Sequence, residues 1–140
     1  MEYWDIYIIK LDRNPNKLLD YASQLIPSLN LDGDSGEYSL DIGTEQLSII
    51  NAKEFIYSGC FHKKSEGSIR LKGNLRDNPN GGWVYFNSDG TVVFGLTVKE
   101  NISTSCLLKL KEFTRSKYGY IAGDGPPAES MEEFIKLCNK

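Results

Sequence analysis

The period of the hydrophobic pattern changes along this chain. Between about residues 38 and 96 apolar positions fall in runs of strand length, and toward both ends they recur at three- and four-residue steps. The run Trp4 to Leu11 carries only Asp5 and Lys10 as charges and predicts a strand. Asn14-Pro15 then supplies an N-cap with proline at the first helical position, and Leu18, Tyr21, Ala22, Leu25 and Ile26 share a helical face that ends before Pro27.

A polar turn from Asn30 to Gly36 leads into strand candidates at Tyr38–Ile42, Gln46–Ile50 and Phe55–Phe61. Ser68 to Lys72 alternates strictly, which points Ile69 and Leu71 inward and Arg70 and Lys72 toward solvent. The strongest local signal is Gly82 to Leu96. Two strands rich in aromatic and β-branched residues are joined there by Asn87-Ser88-Asp89-Gly90, and Gly90 can take the positive φ that a tight turn needs.

Beyond the hairpin, Ser103, Thr104 or Ser105 can cap a helix with Cys106, Leu107, Leu110 and Phe113 on one side, and Gly119 is its expected C-cap. After a glycine- and proline-rich loop, Ser130 and Glu133 form a capping box for a last helix carrying Phe134, Ile135, Leu137 and Cys138. Strands in the middle and helices at both ends predict a single α+β domain over residues 1–140. Its antiparallel sheet has helices packed mainly on one face, an N-terminal β-α pair and C-terminal helices.

Composition agrees with a folded chain, at 40% hydrophobic and 25% charged residues. The N-terminus has no basic stretch, and the apolar run Ile6 to Ile9 is too short for a secretion signal or a membrane span, so a cytoplasmic protein is expected. Cys60, Cys106 and Cys138 are odd in number and far apart, which favours buried thiols over a disulfide framework.

The net charge of −3 conceals a segregation. Residues 1–52 hold 9 acids and 3 bases, residues 53–118 hold 6 acids and 11 bases, and residues 119–140 hold 4 acids and 2 bases. An acidic patch built from the first third would complement a basic partner and steer its approach.

Candidate chemistry is sparse. Asn30, Asp32, Asp34 and Asp41 occupy the first, third, fifth and twelfth positions of a calcium-type loop, but Ser35 replaces the required glycine and Asp41 the bidentate glutamate, so the segment reads as an acidic turn. Cys60 and His62, two residues apart on an expected strand, would share a face and could form a nucleophilic pair; the plainer reading is a core cysteine beside an ordinary histidine. Gly119, Gly123 and Gly125 read as a loop, since they follow a helix rather than open one. Tyr3, Trp4, Tyr7, Trp83, Tyr85 and Phe86, with Arg70, Lys72 and Arg76, could stack nucleic acid, but a pI near 5.2 argues against that partner. No cofactor, metal, membrane or nucleic-acid partner is expected.

The run Gly82 to Phe86, Asp89-Gly90 and Val93 to Leu96 resembles small cytoplasmic immunity proteins of bacterial polymorphic-toxin and contact-dependent growth inhibition systems. The likeness continues through Tyr118 to Ile121, Pro126-Pro127 and Ser130 to Phe134, and covers about the last 60 residues as a pattern of elements. It implies a non-enzymatic protein that binds and neutralises a cognate toxin domain, often a nuclease. Nuclease domains tend to be basic, and Asp32, Asp34, Glu37, Asp41 and Glu45 are the expected acceptors for toxin lysines and arginines. Two other classes stay open. One is a small enzyme or ligand-binding domain with a site near Cys60 and His62; the other is a structural subunit that associates through a sheet edge.

Overall fold

The computed structural model describes residues 2–31 and 37–139. In chain order the elements are β1 (Tyr3–Lys10), α1 (Pro15–Leu25), β2 (Tyr38–Asp41), β3 (Gln46–Ile49), α2 (Ala52–Phe61), β4 (Gly67–Lys72), β5 (Gly81–Phe86), β6 (Val92–Lys99), α3 (Ser103–Thr114), β7 (Gly119–Gly123) and α4 (Met131–Cys138). Five strands form an antiparallel sheet in the order β4-β5-β6-β1-β7, and β2 and β3 form a separate two-stranded sheet. The fold is α+β, as the pattern predicts.

Ile6, Tyr7, Ile8 and Ile9 of β1 are all buried, because this strand is covered on both faces. Ile6 and Ile8 pack with Phe94, Phe86 and Ile69 against α1, α2 and α3. Tyr7 and Ile9 point the other way, to a smaller cluster with Val93 and with Phe134 of α4. Among the described residues, therefore, α1, α2 and α3 share one face and α4 lies on the other.

Several local cues act as expected. The Asn14 side chain accepts from Lys17 N–H, Ser130 accepts from Glu133 N–H, and Gly90 in the β5–β6 turn has φ +93°. Ile69 and Leu71 are buried.

The segment Phe55–Phe61, expected as a strand, is instead most of α2. Asn51 caps it by accepting from Glu54 N–H at 3.1 Å, and the buried residues Ala52, Phe55, Ile56, Gly59 and Cys60 fall at helical spacing once Ala52 is included. A seven-residue apolar run is ambiguous by itself; the cap and the preceding alanine decide it.

The expected end of α3 is also corrected. No side chain caps its start, where Ser103 Oγ instead donates to Glu100 O in a short 3-10 turn. Its end comes at Arg115, in the left-handed region with φ +55°, whose N–H donates to Glu112 O. Gly119, the expected C-cap, instead opens β7, and Gly119 to Gly123 is a strand rather than a loop. This strand forms one edge of the sheet and contains no charged residue. At the opposite edge Asp41 and Glu66 exchange backbone hydrogen bonds of 2.9 and 2.8 Å, so the β2–β3 hairpin continues past β4.

Among the described residues no helix is long and apolar enough to cross a membrane.

Candidate functional site

The β2–β3 hairpin alternates as a half-buried sheet must. Leu40 and Ile49 are buried and Tyr38 and Leu47 are half-buried, while Ser39, Asp41, Gln46 and Ser48 face solvent. The register pairs Asp41 with Gln46 and Leu40 with Leu47, which places Asp41 at the turn. There the Asp41 carboxylate accepts from Gly43 N–H at 2.8 Å, and Gly43 takes φ +93°, so the aspartate also shapes the turn it occupies. Glu45 is exposed in the same turn.

Asp41 and Glu45 are thus brought together, and the Asp41–Glu66 backbone bridge adds the exposed Glu66. Glu37 is exposed just before the far end of β2, roughly 13 Å from Asp41 at strand rise. Asp32 and Asp34 lie outside the described residues, as does most of the calcium-type loop. Nothing in the sequence marks Glu66, which belongs to the chain segment with net positive charge; only the β2–β4 bridge reveals its neighbours. Lys63 and Lys64, exposed in the turn before Glu66, bound the acidic stretch on that side.

Cys60 and His62 do not share a strand face. Cys60 lies in the last turn of α2, buried in the core, and His62 is the residue that caps the helix. Positions two apart on a helix do not face each other. Burial pushes the Cys60 thiol up to about 11 despite the nearby positive charge of Arg13. The backbone of His62 is engaged at both ends, its N–H donating to Ser58 O and its carbonyl accepting from Arg13, while its ring meets the Phe61 ring edge-on.

Arg13 is the polar centre of this end of the molecule. Its guanidinium donates to the carbonyls of Gly59, His62, Ser65 and Asn87 and to Ser65 Oγ, and it lies over the Phe86 ring at 4.9 Å. These partners come from α2, the turn after it and the β5–β6 hairpin, so one side chain ties three segments together. Nothing local in the sequence around Arg13 signals this, because its partners lie 46 or more residues away.

The face of the main sheet that carries α4 is only partly covered. α4 packs over β7, β1 and Val93 of β6, with its first residue held at the β5–β6 turn, and among the described residues no helix lies over β4 on this face. The register places Arg70 beside Trp83 and Ser68 beside Tyr85 on this face, with Thr97, Asp5, Lys99 and Tyr3 continuing it. Arg70 is not simply solvated, as alternation suggests. Its guanidinium lies across Gly81, where a Cβ would come within 2.8 Å of it, stacks on Trp83 at 5.2 Å and donates to Thr97 Oγ1. Thr97 in turn donates to Asp5 at 2.6 Å. Burial lowers the affinity of Arg70 for its proton, and the charge of Asp5 opposes that effect.

Comparison with known proteins gives no match: no family model fits the chain, and neither curated sequences nor solved structures contain a significant relative.

Proposed function

We propose that this chain is a non-enzymatic immunity protein that binds and neutralises a basic toxin domain, in the manner of bacterial contact-dependent inhibition systems. The acidic turn of the β2–β3 hairpin is the contact surface in this reading, with Asp41, Glu45 and Glu66 at its centre and Glu37 at its margin. The observation that supports it is the exposure of Asp41 and Glu45 in a hairpin turn that the Asp41–Glu66 backbone bridge sets beside the exposed Glu66 at the β4 edge of the main sheet. Carboxylates so placed can occupy positions that substrate phosphates would take on a nuclease, and close charge pairs in such interfaces couple by about 1.5–7 kcal/mol.

The test begins with co-purification from source cells and identification of any protein retained at about 0.5 M salt, where exposed charge pairs are heavily screened. Affinity for that protein is then measured with Asp41→Lys, Glu45→Lys and Glu66→Lys combined. Weakening of about a hundredfold or more is expected, carried mainly by faster dissociation. Unchanged affinity would place the contact elsewhere, and recovery of the chain without any partner would remove the reading.

A further inference from the structure

We propose that the outer edge of β7 receives an extended segment of a partner protein, added antiparallel to the sheet, uncharged over about four residues and closed by a carboxylate at its C-terminal end. The two edges of the main sheet differ. At β4 the outer backbone is occupied at both ends, by the exchange between Asp41 and Glu66 and by the Asn30 N–H, which donates to Lys72 O at 2.9 Å. Among the described residues β7 pairs only with β1, and it carries no charged side chain. An edge of that kind is a template for strand addition.

The backbone groups of a strand alternate between its two sides. The Gly119 N–H faces the Cys138 sulfur of α4, on the side away from β1. Ile121, two positions on, therefore presents its N–H and C=O outward as well, and among the described residues nothing bonds them. A bulge at Ala122 ends the regular ladder, so the guest strand is short. This edge is the floor of a groove of about 620 Å³, walled by Leu107 of α3 on one side and by Pro126, Leu137 and Cys138 on the other. Every residue that lines it is uncharged. Side chains on both faces of an added strand meet these walls, which selects an uncharged run. A second copy of the chain fits poorly, because its own β7 lies between the same two walls.

Charge sets the direction of the guest. Burial raises the Cys138 thiol, and the Gly119 N–H and the positive charge of Lys111 oppose that rise, which places Lys111 at the Gly119 end of the groove. Lys111 is half-buried and has no carboxylate partner among the described residues. The exposed Asp124 stands at the other end. An antiparallel guest runs from Asp124 toward Lys111, so its terminal carboxylate meets the ammonium. The parallel direction would set that carboxylate beside Asp124.

The experiment titrates the full chain into a synthetic peptide, Thr-Val-Ile-Val-Asp, labelled at its N-terminus and free at its C-terminus, and reads fluorescence anisotropy at low salt. Saturable binding with Kd on the order of 10–500 µM is expected. Methylating alternate peptide amides removes the donors from one edge of the guest. One of the two methylated forms should bind about tenfold or more weakly, and the other nearly as the parent does. Lys111→Glu should weaken the parent peptide about threefold or more, and an amidated peptide ending in asparagine should be nearly indifferent to that change. The chain with Asp41→Lys, Glu45→Lys and Glu66→Lys should bind the peptide unchanged, since the acidic turn lies at the opposite edge and this inference does not rest on it. No saturable binding, equal loss in both methylated forms, or affinity unmoved by Lys111→Glu would each overturn the proposal. A dimer of the chain in sedimentation equilibrium that the peptide disperses would overturn it too, by giving the groove to a second copy.

Discussion

The carboxylate of Asp89, at the tip of the β5–β6 hairpin, accepts a hydrogen bond from the backbone N–H of Met131 at 2.8 Å. Met131 is the first residue of α4, where the helix has unpaired amides and the positive end of its dipole. The same carboxylate accepts from the N–H and hydroxyl of Thr91 inside its own turn. One aspartate thus closes the hairpin and docks α4 on that face of the sheet.

Burial alone would raise the Asp89 carboxyl, but the bonds from Thr91 and Met131, with the charge of Arg13, outweigh it and hold the group below the usual carboxylate range. A depressed folded-state value stabilises the protein above the ordinary aspartate range, near pH 4, and that contribution is lost as pH falls through the depressed value. Asp89→Asn should cost about 1 kcal/mol at pH 7 and flatten this part of the acid limb. Urea unfolding between pH 2.5 and 7 checks it; parallel pH profiles for the two proteins would show that Asp89 contributes nothing by its charge.

Arg13→Ala should destabilise by about 2–4 kcal/mol, because several buried carbonyls lose their donor together and Phe86 loses the stacked guanidinium. Arg13→Lys should recover less than half of that loss, since an ammonium cannot reproduce a planar fork spread over four carbonyls. Denaturant midpoints of the three proteins decide the matter, and full rescue by lysine would mean that charge rather than geometry holds the segments.

The elements legible in the sequence are those with cues confined to a few residues. Asn14 with Pro15, Ser130 with Glu133 and the glycine of the β5–β6 turn each fix local backbone by contacts within four positions, and each does so here. α2 was obscured because its apolar run is short enough for either period. β7 was obscured because its two terminal glycines read as turn residues, and only antiparallel pairing with β1, more than a hundred residues earlier in the chain, makes it a strand. The candidate site divides the same way. Asp41 and Glu45 are neighbours by virtue of a local turn, whereas Glu66 joins them through a long-range bridge and Arg70 meets Trp83 through sheet register.

Gly59 sits inside α2, where helix propensity alone favours alanine by about 1 kcal/mol. The fold reverses that preference, because a Cβ at this position would lie 2.0 Å from the buried ring of Phe86. Overpacking of this kind costs about 1–3 kcal/mol, so Gly59→Ala should be net destabilising. In a Phe86→Leu background the penalty should shrink, and the double-mutant cycle should show coupling of about 1 kcal/mol or more. A stabilising Gly59→Ala in the parent protein would mean that the ring has room to move.

The same helix makes a chemical prediction about Cys60. With its thiol raised to about 11 by burial, only about one molecule in a thousand carries the thiolate at pH 8, and the sulfur is also shielded from solvent. Cys106 and Cys138 are half-buried and more accessible. Iodoacetamide at pH 8 should therefore modify Cys106 and Cys138 first, and reach Cys60 only at the rate at which α2 opens. Peptide mass spectrometry over a time course, with and without urea, separates the three thiols. Rapid native-state labelling of Cys60 would show an accessible, activated sulfur and return a nucleophile at this position to consideration; labelling that appears only with unfolding leaves it as a packing residue beneath Arg13.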